Sequence, residues 1–316
     1  MPSFDTVNYS LRPNKAVERK IVFAGLQRIS RIVDLSNHRY VGLGSLWFID
    51  YLMAHRLLGI ASMTSIERDD IGFKRADYNR PLGCIEVLKG ESSLIIPTLG
   101  LEERPSVVWL DYDSSIGGPT ITDIGLLVPK CAANSVIVVT INAKKDELES
   151  KDENGAAIDP VTSLRAIAGD LVPNPLAPKR LQPSNYPKLL CEILANQLQS
   201  KAVNSGRSEI FIKLFDLAYM DGTPMVTVGG ILATPEKVDE IRALVSSDSW
   251  EGIAEDTIAV PPLTAREKIA LDRMMPSAQA PTVKQVDKLK FSLKAEQIRA
   301  YHRYYQYYPM FGEFQW

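Results

Sequence analysis

The sequence predicts an α/β fold: a doubly wound, mostly parallel sheet that ends in an antiparallel hairpin and carries a C-terminal helical appendage. Three observations lead there. Near-continuous apolar runs such as NSVIVVTIN alternate with helical stretches, as parallel strands covered on both faces do. The run EIFIKLFDLAYMDGTPMVTVGGIL holds two long strands around an Asp-Gly pair, a hairpin signal. After residue 247 the strand pattern stops and capped helical segments follow.

Taken in order, residues 1–14 read as an irregular arm, and Val17, Ile21, Ala24, Ile29, Ile32 and Val33 set a helical face over 15–33. RYVGLGS is a short strand running into a glycine-rich turn. Ser45 is placed to cap a helix from Leu46 to Leu58, stopped by Gly59. That helix is apolar almost all round, so it is expected to be buried between layers. ASMTSIERD gives a second strand ending at Glu67, CIEVLKGES a third ending near Gly90, and SVVWLDYD a fourth ending at Asp111. A helix is expected over 119–130, then the fifth strand, NSVIVVTIN. Residues 143–160 are polar and read as a solvated loop, with a lid as the alternative. Helical periodicity over 161–200 is broken by VPNPLAPKRLQPSNYP. After the hairpin comes a helix with Thr234 as N-cap and Pro235 at its first position. Thr264 and Glu267 form a capping box, residues 277–283 a linker, and Ser292 caps a helix over 292–305. Residues 1–250 thus form the main unit with an N-terminal helical arm. Residues 251–316 form an aromatic-rich helical extension, too short to bury much surface alone.

Composition excludes several functions. The 316 residues carry 36 Lys plus Arg and 38 Asp plus Glu, a net charge of −2, unlike a nucleic-acid coat or a basic membrane-surface protein. Cys84, Cys131 and Cys191 are odd in number and far apart, so no disulfide framework and no CxxC pair is expected. Three histidines give little support to zinc. The opening MPSFDTVNYSLRPNK does not read as a signal peptide, and no stretch is long and apolar enough for a membrane span. A cytoplasmic location is expected.

The chemistry-bearing residues cluster at strand ends. Gly42-Leu43-Gly44-Ser45 stands where a strand passes into a helix, and glycines there let backbone amides approach a ligand. Counted from Gly42, the sixth position of a nicotinamide Gly-x-Gly-x-x-Gly is Trp47, whose bulk is expected to block close approach of helix and strand. Glu67 ends the second strand, where a carboxylate reaches ribose hydroxyls. Gly90, Glu91 and Ser92 follow the third strand and can meet an adenine edge. Asp111 and Asp113 leave the fourth strand at i and i+2, a spacing that points both to one side of an extended segment. With Asn142 they offer hard oxygens of the kind magnesium takes, but no metal is assigned. His55 reads as a satisfied helix histidine.

The order of elements, YVGLGS (40–45), SIE (65–67), EVLKGES (86–92), VVWLDYD (107–113), VIVVTIN (136–142) and the hairpin over 211–231 resemble class I S-adenosylmethionine (SAM)-dependent methyltransferases, with a Rossmann-like sheet. The resemblance covers roughly residues 20–245. It implies SAM as cofactor, with its methionine part on Gly42, Gly44 and Ser45, its ribose on Glu67 and its adenine at Gly90, Glu91 and Ser92. Asp111 would face the methyl donor or the acceptor, and Asp111 or Asp113 would remove the proton of an oxygen nucleophile aligned with the methyl group. DYD resembles metal-dependent O-methyltransferases. The chain departs from the family at Arg39, Tyr40 and Val41, where an acidic residue is common before the glycines, and it lacks Asn/Asp-Pro-Pro-Tyr. Two other readings stay open: a catalytically silent scaffold acting through protein partners, and an NAD-dependent oxidoreductase.

The tail YHRYYQYYPMFGEFQW holds five tyrosines, two phenylalanines and a tryptophan. Docking on the chain's own core is the first expectation for it. A homo-oligomer or protein interface is the second, and nucleic acid is not favoured at this net charge.

Overall fold

In the computed structural model, which describes residues 12–44, 46–145 and 157–310, the apolar runs become strands of one seven-stranded sheet. They are β1 (Arg39–Leu43), β2 (Met63–Glu67), β3 (Ile85–Lys89), β4 (Ser106–Ser115), β5 (Val136–Asn142), β6 (Ile210–Met220) and β7 (Pro224–Ala233). The order is β3-β2-β1-β4-β5-β7-β6. The first five strands pair in parallel, and β7 runs antiparallel to both β5 and β6. The predicted parallel sheet with a closing antiparallel hairpin is therefore present.

The side-chain alternation along β5 shows how the layers form. Val136 and Val138 join the core cluster on one face, while Ile137, Val139 and Ile141 join the cluster on the other. The first face is covered by α1 (Pro13–Ile29), α2 (Ile49–Leu58), α3 (Asp70–Tyr78) and, further along the chain, α8 (Val238–Val245). The second takes α4 (Ser92–Ile95), α5 (Gly118–Lys130), α6 (Pro160–Ala168) and α7 (Tyr186–Asn204). Both sheet faces are covered, which is why the central strands read as unbroken apolar runs.

The C-terminal region packs on the first face through α9 (Ala265–Asp272), α10 (Val283–Asp287) and α11 (Ala295–Tyr304). Tyr301, Tyr304 and Tyr308 are buried in the same cluster as Val17 and Ile21 of α1. The Tyr308 hydroxyl donates to the carbonyl of Pro261 at 2.9 Å, and Lys20 Nζ donates to the carbonyl of Tyr307 at 3.0 Å. These aromatics are docked on the chain's own core. Phe311, Phe314 and Trp316 lie outside the described residues.

Several boundaries differ from expectation. α1 starts at Pro13, inside the expected arm. α2 starts at Ile49 because Phe48 adopts a left-handed conformation (φ 50°) that a helix cannot continue through. Its burial is one-sided: Tyr51, Ala54 and Leu58 face the core, whereas Trp47 just before it and Leu57 are 44% and 41% exposed. β4 continues past Asp111 to Ser115, with a register shift against β5. Thr234 stands at the N-cap position with Pro235 first in the turn, as expected, but its hydroxyl bonds Glu236 and no backbone amide. The Thr264–Glu267 capping box is present as expected. The expected linker over 277–283 is irregular up to Thr282, and a second box, Thr282–Gln285, opens α10 at its end. Ser292 bonds Asp287, so the last helix begins later, with Lys294 as its N-cap. Most of the polar stretch 143–160, and with it the loop-or-lid alternative, falls outside the described residues.

Gly229 and Gly230 let β7 fit between its two neighbours. A Cβ on Gly229 would stand 2.6 Å from the carbonyl oxygen of Ile137, and one on Gly230 would press on Ile212 O and the Phe211 ring. Gly230→Ala is expected to destabilise the fold by about 1–3 kcal/mol through overpacking. Gly83→Ala, where a Cβ meets nothing within 4 Å, is expected to be near neutral. Urea unfolding midpoints of the two variants check this.

Candidate functional site

In an open α/β sheet, ligands bind beyond the carboxyl ends of the strands where the strand order reverses. Here that point lies between β1 and β4, and a cleft of about 680 Å³ opens there. Gly44, Glu67, Gly90, Glu91, Ser92, Asp111 and Asp113 all line it. Gly42 does not. It lies inside β1, opposite Ser65 and Trp109, and a Cβ on it would stand 2.8 Å from the Tyr51 hydroxyl oxygen. Ser45 lies outside the described residues.

The best-defined feature is the seat of the Glu67 carboxylate. A Cβ on Gly44 would fall inside that carboxylate, and one on Gly72 would stand 2.9 Å from its Cδ. Two glycines from separate elements thus leave the space that the carboxylate fills. The backbone N–H of Asp69 donates to Glu67 Oε1 at 3.1 Å. Burial raises the Glu67 carboxyl above its ordinary value, against the lowering effect of that bond.

Beside it, Gly90 N–H donates to the Glu67 carbonyl at 3.0 Å, and Glu91 is the N-cap residue of α4. The Ser92 hydroxyl donates to the buried Asp123 carboxylate, which also accepts from Tyr112. Ser92 lines the cleft, but its hydroxyl hydrogen is spent inward.

Across the cleft, Asp111 meets residues of α1 that the sequence reading passed over. Lys15 Nζ lies 2.7 Å from Asp111 Oδ2 and 3.4 Å from Glu18 Oε2, and donates to the Tyr219 hydroxyl at 3.2 Å. The ammonium also sits 5.2 Å from the Trp109 ring centre and 5.4 Å from that of Tyr219. Burial alone would lower the Lys15 pKa, but the carboxylates of Asp111 and Glu18 hold it well above the usual value. Behind Lys15, Trp109 Nε1 donates to Thr140 Oγ1 (3.0 Å), Thr140 to Thr227 (2.7 Å) and Thr227 to Glu18 Oε1 (2.6 Å). Burial raises the Glu18 carboxyl, and Lys15 opposes the rise.

Arg12 and Arg19 flank Lys15. Arg12 pairs with Asp221 in the β6–β7 turn at 3.0 Å, and Arg19 pairs with Asp50 in the first turn of α2. Three elements thereby tie one stripe of α1 to the mouth of the cleft. Asp50 brings a carboxylate to the glycine turn, where the sequence shows none ahead of Gly42. The sequence signal was present as charges at positions 12, 15, 18 and 19 at the start of α1, but a solvated face gives the same pattern.

Two other expectations, on Trp47 and Asn142, are corrected. Trp47 does not wedge helix from strand. It lines the cleft and is partly exposed, while Phe48 is the residue packed inside. Asn142 accepts from the N–H of Lys144 at 2.8 Å and from Thr223 at 3.4 Å, and it does not line the cleft. Among the described residues no group of three or more His, Cys, Asp or Glu is arranged to hold a metal ion. His38, His55 and His302 each bond a backbone carbonyl, of Asn134, Ile60 and Ser277.

No curated protein matches the chain. Among solved structures, Trm1 from Pyrococcus horikoshii in complex with SAM is 12% identical, with a TM-score of 0.47. That match covers 72% of this chain and 57% of Trm1, so the chain spans little more than half of that protein's length. TYW2 from M. jannaschii in complex with AdoMet is 9% identical with a TM-score of 0.36, over 66% of this chain and 74% of that one. A family model described as "Putative O-methyltransferase" matches residues 7–316. With its sheet order and its matched length, the protein belongs to that family and has the class I SAM-dependent methyltransferase-like fold.

Proposed function

We propose that the protein binds SAM in this cleft and transfers its methyl group to an oxygen of a small acceptor. The observation that carries the reading is the Glu67 carboxylate, seated between Gly44 and Gly72 at the reversal of strand order and facing Asp111 and Asp113 across one cleft. The residues fit the cofactor. Glu67 accepts hydrogen bonds from ribose hydroxyls, and Gly44 lets backbone come close. Arg19 and Asp50 offer opposite charges for a carboxylate and an amino group, so they suit an amino-acid zwitterion beside the glycine turn. When bound, SAM supplies a sulfonium methyl group that needs no further activation. The protein orients the acceptor oxygen in line and takes its proton, a task that falls to Asp111 or Asp113. The three cysteines are free thiols, in keeping with a reducing, cytoplasmic site of action. Among the described residues no helix is long and apolar enough to cross a membrane.

Calorimetric titration tests the reading. SAM and S-adenosylhomocysteine (SAH) are expected to bind with Kd values of about 1 μM–1 mM, the range in which enzyme KM values commonly fall, and NADH is expected not to bind. Folded protein that binds neither SAM nor SAH contradicts it.

Affinity should also depend on pH through Glu67. Ribose hydroxyls bond the ionised carboxylate, and burial raises the pH at which that form is lost. Affinity for SAH is therefore full above the raised value. Below it, affinity falls about tenfold per pH unit, starting at a higher pH than for an exposed glutamate. The same titrations on Glu67→Gln are expected to show weak, pH-independent binding.

A further inference from the structure

Resting on that reading, the acceptor side of the cleft narrows the chemistry of what is methylated. This side is formed by the end of β4, the β6–β7 turn and α1. Apart from Arg19, assigned above to the amino-acid end of the cofactor, its cations Lys15 and Arg12 are each paired with a carboxylate. A lysine ammonium has three N–H donors, and those of Lys15 face Asp111, Glu18 and Tyr219. Arg12 pairs with Asp221 and also donates to the Asp221 carbonyl. Residues 1–11, which precede it, contain no lysine or arginine.

The carboxylates are less committed. An ionised carboxylate offers about four acceptor positions. Asp111 receives Lys15 on Oδ2, and its side chain stays 32% exposed in the cleft. Asp113 stands exposed at the same rim. With the Arg19–Asp50 pair balanced in itself, and counting Glu18 behind Lys15, this wall sets the carboxylates Glu18, Asp111, Asp113 and Asp221 against the cations Lys15 and Arg12. A cleft lined by an excess of one sign attracts the other. An acceptor bearing a carboxylate or phosphate would meet like charge there. A protonated amine would meet acceptors with open lone pairs.

We infer that the acceptor is a small hydroxylated amine, whose ammonium group is received by Asp113 while Asp111, held by Lys15, faces its hydroxyl. In the transfer, a lone pair of the hydroxyl oxygen forms the new O–CH3 bond. The S–CH3 bond breaks with its electron pair left on sulfur, giving SAH, and the hydroxyl proton passes to Asp111.

Paired probes that share a hydroxyl and a skeleton but differ in charge test this. Tyramine is compared with 4-hydroxyphenylacetate, and 4-aminobutan-1-ol with 4-hydroxybutanoate, each titrated by calorimetry into protein saturated with SAH. In each pair the amine is expected to bind at least about tenfold more tightly, and Asp113→Asn is expected to close the gap. Equal or tighter binding of the carboxylates overturns the inference. So does a lack of binding by both amines, or a gap that survives in Asp113→Asn. Failure of SAH itself to bind overturns the methyl-transfer reading and this inference with it, a result distinct from the others.

Discussion

Glu67→Ala is expected to raise the Kd for SAH about 100-fold, corresponding to about 2.7 kcal/mol. The magnitude follows from what the side chain would accept. A hydrogen bond to a charged group contributes about 1.5–3 kcal/mol, and a ribose presents two hydroxyls to one carboxylate. The carboxylate is pre-placed, because Gly44 and Gly72 shape its seat and the N–H of Asp69 holds Oε1. The same argument makes Gly44→Ala a second test of the seat. The added methyl group needs the space the carboxylate occupies, so Glu67 must turn away and affinity should fall with it. Glu67 stands at a strand end and only partly buried, so circular dichroism and urea midpoints should change little in Glu67→Ala. Retained affinity in both variants would place the cofactor elsewhere.

Lys15→Met is expected to destabilise the fold by about 3–5 kcal/mol, the cost of breaking a buried ion pair on one side. Lys15 is 2% exposed and Glu18 is fully buried, so without the ammonium the carboxylate has Thr227 as its hydrogen-bond donor and no matching charge at its other oxygen. Asp111 loses its partner too, although its partial exposure lets water compensate. Glu18→Gln in the Lys15→Met background should recover much of the loss, because a neutral amide removes the buried charge while keeping the bond to Thr227. Urea unfolding of the single and double variants reads this coupling directly. A Lys15→Met unfolding free energy within about 0.5 kcal/mol of the wild type would show that the cluster contributes nothing to stability.

The sheet was legible in the sequence because burial on both faces leaves a plain mark. VIVVTIN and VVWL could be little else than central strands, and the Asp-Gly turn fixed the hairpin. Glu67, Asp111 and Asp113 could be read as site candidates for a related reason: in a parallel sheet, the residue ending an apolar run is carried to the ligand-binding edge. What escaped was whatever depends on packing between distant segments. Lys15, Glu18 and Arg19 are a charged stripe in sequence, and only the meeting of α1 with β4, β6 and β7 turns the stripe into a buried network. Asp50 was not legible because it follows the glycines, in the first turn of α2, and only the packing of that turn against Arg19 brings it to the cleft. Trp47 was misjudged through the helix start. The left-handed turn at Phe48 swings it outward, and nothing local in the sequence announces that turn.

On the reading proposed above, one cleft holds SAM between the Glu67 seat and the Asp111–Lys15 pair. A crystal structure of the protein with SAH tests it most directly. Both ribose hydroxyls are expected on the Glu67 carboxylate, with the amino-acid end at Arg19 and Asp50 and the sulfur turned toward Asp111. SAH bound with Glu67 unengaged, or at any other place on the protein, would contradict it.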